Sequence, residues 1–318
     1  MKFNNNSINF GYACVNMQLA NPSQFSNSNQ KRIISHRTMI KKTFLEKGLP
    51  YVSSLALKNC KDLFKIIKWN KKNNFIFFRI SSDLFPWCSE YELSDLPDYN
   101  KIKEVLFSIG NFVKQNNMRI TSHPGPFNVL TSPRKTVVKN CIKDLSIHGE
   151  TFDLMNLSRS TYNKINIHIG GAYGDKQSSL KRFCDNFKLL PQSVKSRLTV
   201  ENDDRASLYS VKDLYEGVYK SISIPIVFDY HHHKFCDGGL NEKEALSLSI
   251  STWNGIKPVV HYSESRSIEK NDESIKPHAH SDYIYNYINT YNEPLDVMIE
   301  AKCKELAVLR YIEKYGLK

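Results

Sequence analysis

Short apolar runs of about five to eight residues, rich in Ile, Val, Phe and Tyr, recur along the chain and alternate with longer stretches whose apolar residues return at helical spacing. The runs occupy residues 8–15, 75–81, 118–123, 164–169, 197–201, 224–230, 257–262 and 295–300. Apolar segments this short and this continuous predict strands buried on both faces. The stretches 102–115, 178–190, 242–253 and 302–314 predict amphipathic helices between them. Strand-then-helix order repeated along one chain predicts a parallel sheet with crossover helices. Eight such units in 318 residues predict an α/β fold of the closed (β/α)₈ TIM-barrel type, whose usual size is roughly 250 residues plus insertions. A doubly wound open sheet is the competing architecture, but it would carry a Gly-rich phosphate turn after its first strand. Here that strand runs into Cys14-Val-Asn16-Met-Gln, and no GxGxxG or GxxxxGK[ST] occurs, so no nucleotide cofactor is expected. The Ser/Asn/Gln-rich segment 21–31 and the charged segment 263–276 predict surface loops, not boundaries, so residues 1–318 are expected to form one barrel domain.

Composition narrows the setting. An apolar content of 41% is ordinary for a packed globular protein, and the formal charge of +12 favours an anionic partner such as nucleic acid. Lys- and Asn-heavy composition also follows from an AT-rich genome, so the charge needs support from motifs. The seven cysteines are scattered, odd in number and form no CxxC pair, which argues for a reducing compartment and against a thiolate metal site. The stretch Met1-Lys-Phe-Asn-Asn-Asn-Ser has no apolar core of a signal peptide, and no later run approaches about 18 apolar residues. The expectation is a soluble intracellular protein, cytoplasmic or nuclear, with no membrane partner; a monomer is the simplest oligomeric state.

The candidate chemistry lies at the strand ends, because a barrel of this kind places its site at the C-terminal ends of its strands. The third strand ends at His123, the fourth at His168, the fifth at Glu201, the sixth at Asp229 with His232 three residues on, the seventh at His261 and the eighth at Glu300. Any one of these could be an ordinary polar residue at a barrel mouth, and the run Asp229-Tyr-His-His-His233 alone could be a solvated loop. Six consecutive strands ending this way are harder to place without a counter-charge, since ionisable groups converging in one mouth need one. Carboxylates at such close quarters call for divalent cations. Imidazole and carboxylate without thiolate suit manganese, zinc or iron. The ligands are too many for one four-coordinate ion, so two or three ions bridged by Glu or Asp fit better. Ions about 3.5–4 Å apart serve phosphoryl chemistry, one preparing the nucleophile and another steadying the leaving oxygen.

The strings Phe10-Gly-Tyr12-Ala-Cys-Val-Asn16, Phe78-Arg-Ile-Ser-Ser-Asp-Leu-Phe-Pro86, His123-Pro-Gly-Pro-Phe127, Ile167-His168-Ile-Gly-Gly171, Val200-Glu-Asn-Asp203, Phe228-Asp-Tyr-His-His232, His261-Tyr-Ser, His280-Ser-Asp-Tyr and Glu300-Ala-Lys follow in this order over nearly the whole chain. Together they resemble the UV damage endonucleases, metal-dependent DNA repair enzymes related in fold to endonuclease IV. The resemblance implies a trinuclear site, usually manganese, with zinc as the alternative. It implies a nick in double-stranded damaged DNA on the 5′ side of a cyclobutane dimer or 6-4 photoproduct, leaving a 3′-hydroxyl and a 5′-phosphate. Carried over by position, His123, His168, Glu201, Asp229, His232, His261, His280 and Glu300 match the metal ligands, and Glu201, Asp229 and Glu300 are the expected catalytic carboxylates. His231 and His233 are expected to be outer-shell or exposed.

Two departures stand out. Where many relatives place a histidine ligand after the second strand, this chain has Glu90, which is expected to bind metal in its stead. Where some members carry a modified lysine two residues before the strand-seven histidine, this chain has Val259, and Lys257 is expected in a different phase of the strand. The resemblance further implies that Pro126 and Phe127 wedge into the duplex at the lesion, with Tyr12 and Asn16 lining the opposite side. Aromatic insertion costs a few kcal/mol of unstacking, least at a distorted lesion. Arg134, Lys135 and Lys234 are candidates for phosphate contacts. Two other readings compete: a metal-dependent sugar isomerase or epimerase on the same barrel, and a damaged-DNA-binding relative impaired in catalysis.

Overall fold

The computed structural model describes residues 8–25 and 31–317. The N-terminal stretch read for a signal sequence and part of the expected loop 21–31 lie outside the described residues. Eight strands, β1 (Asn9–Ala13), β2 (Phe77–Ile80), β3 (Arg119–Ser122), β4 (Ile165–His168), β5 (Leu198–Glu201), β6 (Ile226–Asp229), β7 (Val259–Tyr262) and β8 (Asp296–Ile299), form the sheet. They pair in parallel in sequence order, and β1 pairs with β8 to close the barrel. Each strand falls inside one of the apolar runs, trimmed by one to three residues at its ends. The expected (β/α)₈ barrel is therefore the observed fold.

The helices take the positions their periodicity requires, among them Tyr99–Gln115, Lys176–Phe187, Glu242–Ile250 and Lys304–Tyr315. Their buried faces, such as Ile102, Leu106, Ile109 and Val113 of Tyr99–Gln115, join the outward-facing strand residues Phe78, Ile120, Ile167 and Val200 in one large outer core. The helix Lys41–Lys72 is broken at Gly48, whose φ of 60° is left-handed. The charged segment 263–276 is more ordered than a surface loop: it contains the helix Arg266–Lys270, and Ser265 bridges to His280.

The site is positioned by the lumen. Side chains alternate across a strand, so residues two apart face the same way. Ala13, Phe77, Val227, Val259 and Met298 pack with Trp253 in a small cluster of their own inside the barrel. Two residues further along four of those strands stand Arg79, Asp229, His261 and Glu300. On β3, β4 and β5 the same phase brings His123, His168 and Glu201 inward. The lumen thus has an apolar layer below and an ionisable layer above it, at the C-terminal mouth. Beneath the apolar layer, buried Arg119 pairs with Asp296 at 2.8 Å and stacks near Trp253 and Phe77. Lys257 also reaches Asp296, at 2.7 Å. This corrects the expected phase of Lys257, which lies in line with Val259 and His261 but one layer lower.

Candidate metal centre

Glu201 is the hub of the mouth. Its Oε2 lies 3.1 Å from His123 Nε2 and 3.9 Å from His168 Nε2, while its Oε1 lies 3.1 Å from His261 Nδ1 and 3.5 Å from His232 Nδ1. The Asn166 amide donates to the same carboxylate and is itself held by Thr199 Oγ1, 2.7 Å from its Oδ1. Asp229 ends β6 and caps the short helix Tyr230–His233, accepting from the backbone N–H groups of His231 and His232 at 2.7 and 2.8 Å. That cap fixes where His232 points. Its other oxygen, Oδ2, is buried without a hydrogen-bond partner. Glu300 follows β8, 3.3 Å from His261 Nδ1 and paired with Arg79 of β2. His280 closes that side, its Nδ1 2.8 Å from the Glu300 carbonyl and 3.9 Å from its carboxylate.

Among the described residues, three groups could each hold a metal ion: His123, His168 and Glu201; Glu201, Asp229 and His232; and Asp229, His261 and Glu300. Glu201 belongs to the first two and Asp229 to the last two, so the groups form a chain joined by shared carboxylates. The donors are imidazole nitrogen and carboxylate oxygen throughout, the set a borderline or hard divalent ion prefers. The orphaned Oδ2 of Asp229 is the direct sign of fit, because a buried carboxylate oxygen without a donor is costly unless a cation meets it.

Electrostatics point the same way. Burial pushes Asp229 up to about 6, aided by Glu201 and Glu300 and opposed by His232. Burial would likewise raise Glu201, but His261, His168 and His123 hold it well below the usual carboxylate range. Glu300 is also held low, with Arg79 overcoming its burial. Burial lowers His261 to about 4 against the pull of Glu201, and lowers His123. For His168 burial is outweighed by Glu201 and by Asp203, 3.0 Å away, so its value rises to about 10.

The structure brings together His123, His168, Glu201, Asp229, His232, His261, Glu300 and, at the edge, His280. Glu90 is placed differently: it ends the short turn Cys88–Glu90, is exposed, and belongs to none of the three groups. Tyr12 and Asn16 are 0% and 1% exposed. The Asn16 amide donates to the Tyr12 hydroxyl, which donates to Asn70, and Asn16 caps the helix Met17–Ala20. Both expected lesion-side residues are thus held in a buried network. His231 and His233 are buried, not exposed, their rings set edge-on against Phe235 and Phe228. Pro126 and Phe127 form the tip of an exposed turn, with Phe127 66% accessible. Arg134, Lys135 and Lys234 are exposed.

Sequence reading missed the supporting residues Arg79, Asn166, Asp203 and Lys164. Lys164 is fully buried, with Nζ 3.3 Å from His261 Nε2, and burial lowers it to about 7. The signal was available: Lys164, Asn166 and His168 share one phase of β4, so a lysine there must enter the lumen.

The family model described as UV-endonuclease UvdE matches residues 8–317. A UV-damage endonuclease of Schizosaccharomyces pombe is 35% identical over 96% of the chain and 50% of its own length. A UV DNA damage endonuclease of Clostridium perfringens is 34% identical over 96% of the chain and 70% of its own length. The chain thus spans half the length of the yeast relative and more of the clostridial one. The crystal structure of SacUVDE superposes with a TM-score of 0.81 at 32% identity, covering 98% of this chain and 100% of that one. Among the described residues, no helix is long and apolar enough to cross a membrane.

Proposed function

The chain belongs to the UV-endonuclease UvdE family, and we propose that it hydrolyses a phosphodiester of double-stranded DNA on the 5′ side of a UV photoproduct, leaving a 3′-hydroxyl and a 5′-phosphate. Cyclobutane dimers and 6-4 photoproducts are the proposed lesions. The observation that carries the reading is the chain of three ligand groups joined by Glu201 and Asp229. Such a row of sites suits a phosphoryl group, whose attacking and leaving oxygens both need stabilising.

His123 and His168 with Glu201, His232 with Glu201 and Asp229, and His261 with Asp229 and Glu300 would hold the ions, manganese by preference and zinc as the alternative. Divalent ions there would supply Lewis-acid stabilisation of charge building on the phosphate. Glu201 and Asp229, each a member of two groups, would hold two ions apiece, and Asn166 orients Glu201. Arg79 keeps Glu300 ionised while bonded to it. His280 is a further proposed ligand beside Glu300, and Glu90 would need the mouth loops to move before it could join. Arg134, Lys135 and Lys234 offer charge for flanking phosphates, and the exposed Phe127 offers a stacking face to a distorted step. One chain supplies all three groups, and a monomer is the proposed working unit.

The test is nicking of UV-irradiated supercoiled plasmid with manganese and with chelator. Manganese-dependent relaxation confined to irradiated plasmid is the expected result. Retardation of irradiated DNA without nicking under any divalent ion would favour the impaired relative, a reading to which the outlying Glu90 lends weight. Turnover of a free sugar with neither effect would favour the isomerase.

A further inference from the structure

Phe127 is not the sole exposed aromatic side chain that follows a ligand histidine. Tyr173, in the loop after β4, is 51% exposed, and the two loops are built alike. In His123-Pro-Gly125-Pro-Phe127 and in His168-Ile-Gly-Gly171-Ala-Tyr173 a glycine stands two residues before the aromatic. In each the ring folds back over that glycine: a Cβ on Gly125 would lie 2.4 Å from the Phe127 ring, and one on Gly171 3.1 Å from the Tyr173 ring. A methyl group at either position would press on its ring, so each glycine lets the ring close over the backbone. Each backs a ring that stays more than half exposed.

Tyr173 is also held at a backbone conformation that a non-glycine residue seldom adopts, with φ of 49°. Arg182 ties the pair together. Its guanidinium lies 5.7 Å from the Tyr173 ring centre, while its Nε donates to Thr131 O in the loop that carries Phe127. Val129 of that loop packs so close to Gly170 that a Cβ there would meet it at 2.5 Å. Two exposed rings therefore project from adjacent loops locked to each other, each just beyond a ligand histidine, and those imidazoles lie 5.6 Å apart.

We propose that Tyr173 is a second stacking contact to damaged DNA, acting with Phe127 to recognise the unstacked step. The inference rests on the DNA reading above. An isolated surface tyrosine would need neither a glycine platform nor a strained backbone. A stacking ring gains from such anchoring, because a side chain already fixed in place loses less entropy when it binds. Stacking contacts tolerate any base, so Tyr173 would contribute affinity for the lesion and not base sequence.

The experiment compares wild type, Tyr173→Ala, Tyr173→Phe and Leu189→Ala for binding to duplexes with and without one cyclobutane dimer, at two salt concentrations. Leu189 is an exposed apolar residue at the opposite end of the barrel and serves as the control. Thermal melting confirms that each variant folds. Tyr173→Ala should bind the damaged duplex roughly five- to hundredfold more weakly, with an unchanged salt slope, since no phosphate contact is lost. Tyr173→Phe and Leu189→Ala should match wild type. If Tyr173→Ala binds the damaged duplex as wild type does, or if Tyr173→Phe is as weak as Tyr173→Ala, the stacking role is wrong while the DNA reading stands. If wild type itself shows no preference for the damaged duplex, the DNA reading fails and this inference with it.

Discussion

Glu201 keeps its charge inside the barrel because His261, His168 and His123 surround it and the Asn166 amide donates to it. Asn166 touches no proposed substrate, so its loss should act through the orientation of Glu201. Asn166→Ala is expected to weaken metal binding about 10–100-fold, the usual effect of removing a partner of a ligand, with circular dichroism unchanged. Metal titration measured by calorimetry checks this. His168 gives the pH dependence. Its value is raised from 6.5 to about 10 without metal, so its contribution to the metal-free fold is fully present below 6.5 and lost as pH rises through about 10. A ligand imidazole must be neutral, so metal binding should release protons across that window. Calorimetry in buffers of different ionisation enthalpy should show that release, and the metal-free protein should lose stability over the same range. The residues of the three groups were legible because a strand that ends on His, Asp or Glu announces itself. Lys164, Asn166 and Arg79 stand inside or at the start of strands, where a polar residue in an apolar run shows its direction only by its phase with the residue that ends the strand.

The strands could be read from their apolar runs, and so could the inward-facing set: the step of two from Val227 to Asp229, Val259 to His261 and Met298 to Glu300 puts each pair on one face. The loops were harder, because exposure there depends on contacts between elements distant in sequence. Tyr12 and Asn16 match a family string, yet Asn70, from a helix more than fifty residues away, draws both into the interior. The turn carrying Phe127 shows the converse. Asn128 Nδ2 donates to Asp144 at 2.7 Å, and the Cys88 thiol lies 3.1 Å from the same carboxylate, so one buried Asp anchors the loops after β2 and β3. Asn128→Ala should leave metal content unchanged, lower stability by about 1–3 kcal/mol from the unsatisfied carboxylate, and reduce the preference for damaged over undamaged duplex. Denaturant unfolding and competitive binding read the two effects separately. A loss of metal instead would place the turn's anchor within the metal centre.

At the scale of the whole molecule the barrel divides its work between two ends. The lower end is closed by buried Arg119, Asp296 and Trp253 with half-buried Lys257 beside them, an ionic and aromatic plug. The upper end gathers the ionisable layer, the glycine-backed aromatic tips and exposed basic side chains, consistent with a chain whose formal charge is +12. Length and alternation made the closed barrel legible. The division of the lumen into layers was not, because it arises from the register between strands, which one strand's sequence does not contain. The most direct measurement of the central claim uses a 5′-labelled duplex with one cyclobutane dimer, incubated with manganese and either wild type or Glu300→Gln. The account predicts one wild-type cut immediately 5′ to the dimer, ending in a 3′-hydroxyl that a polymerase extends, and a rate at least about a hundredfold lower for the variant. Cutting that persists in chelator, or that falls equally on the undamaged duplex, would contradict it.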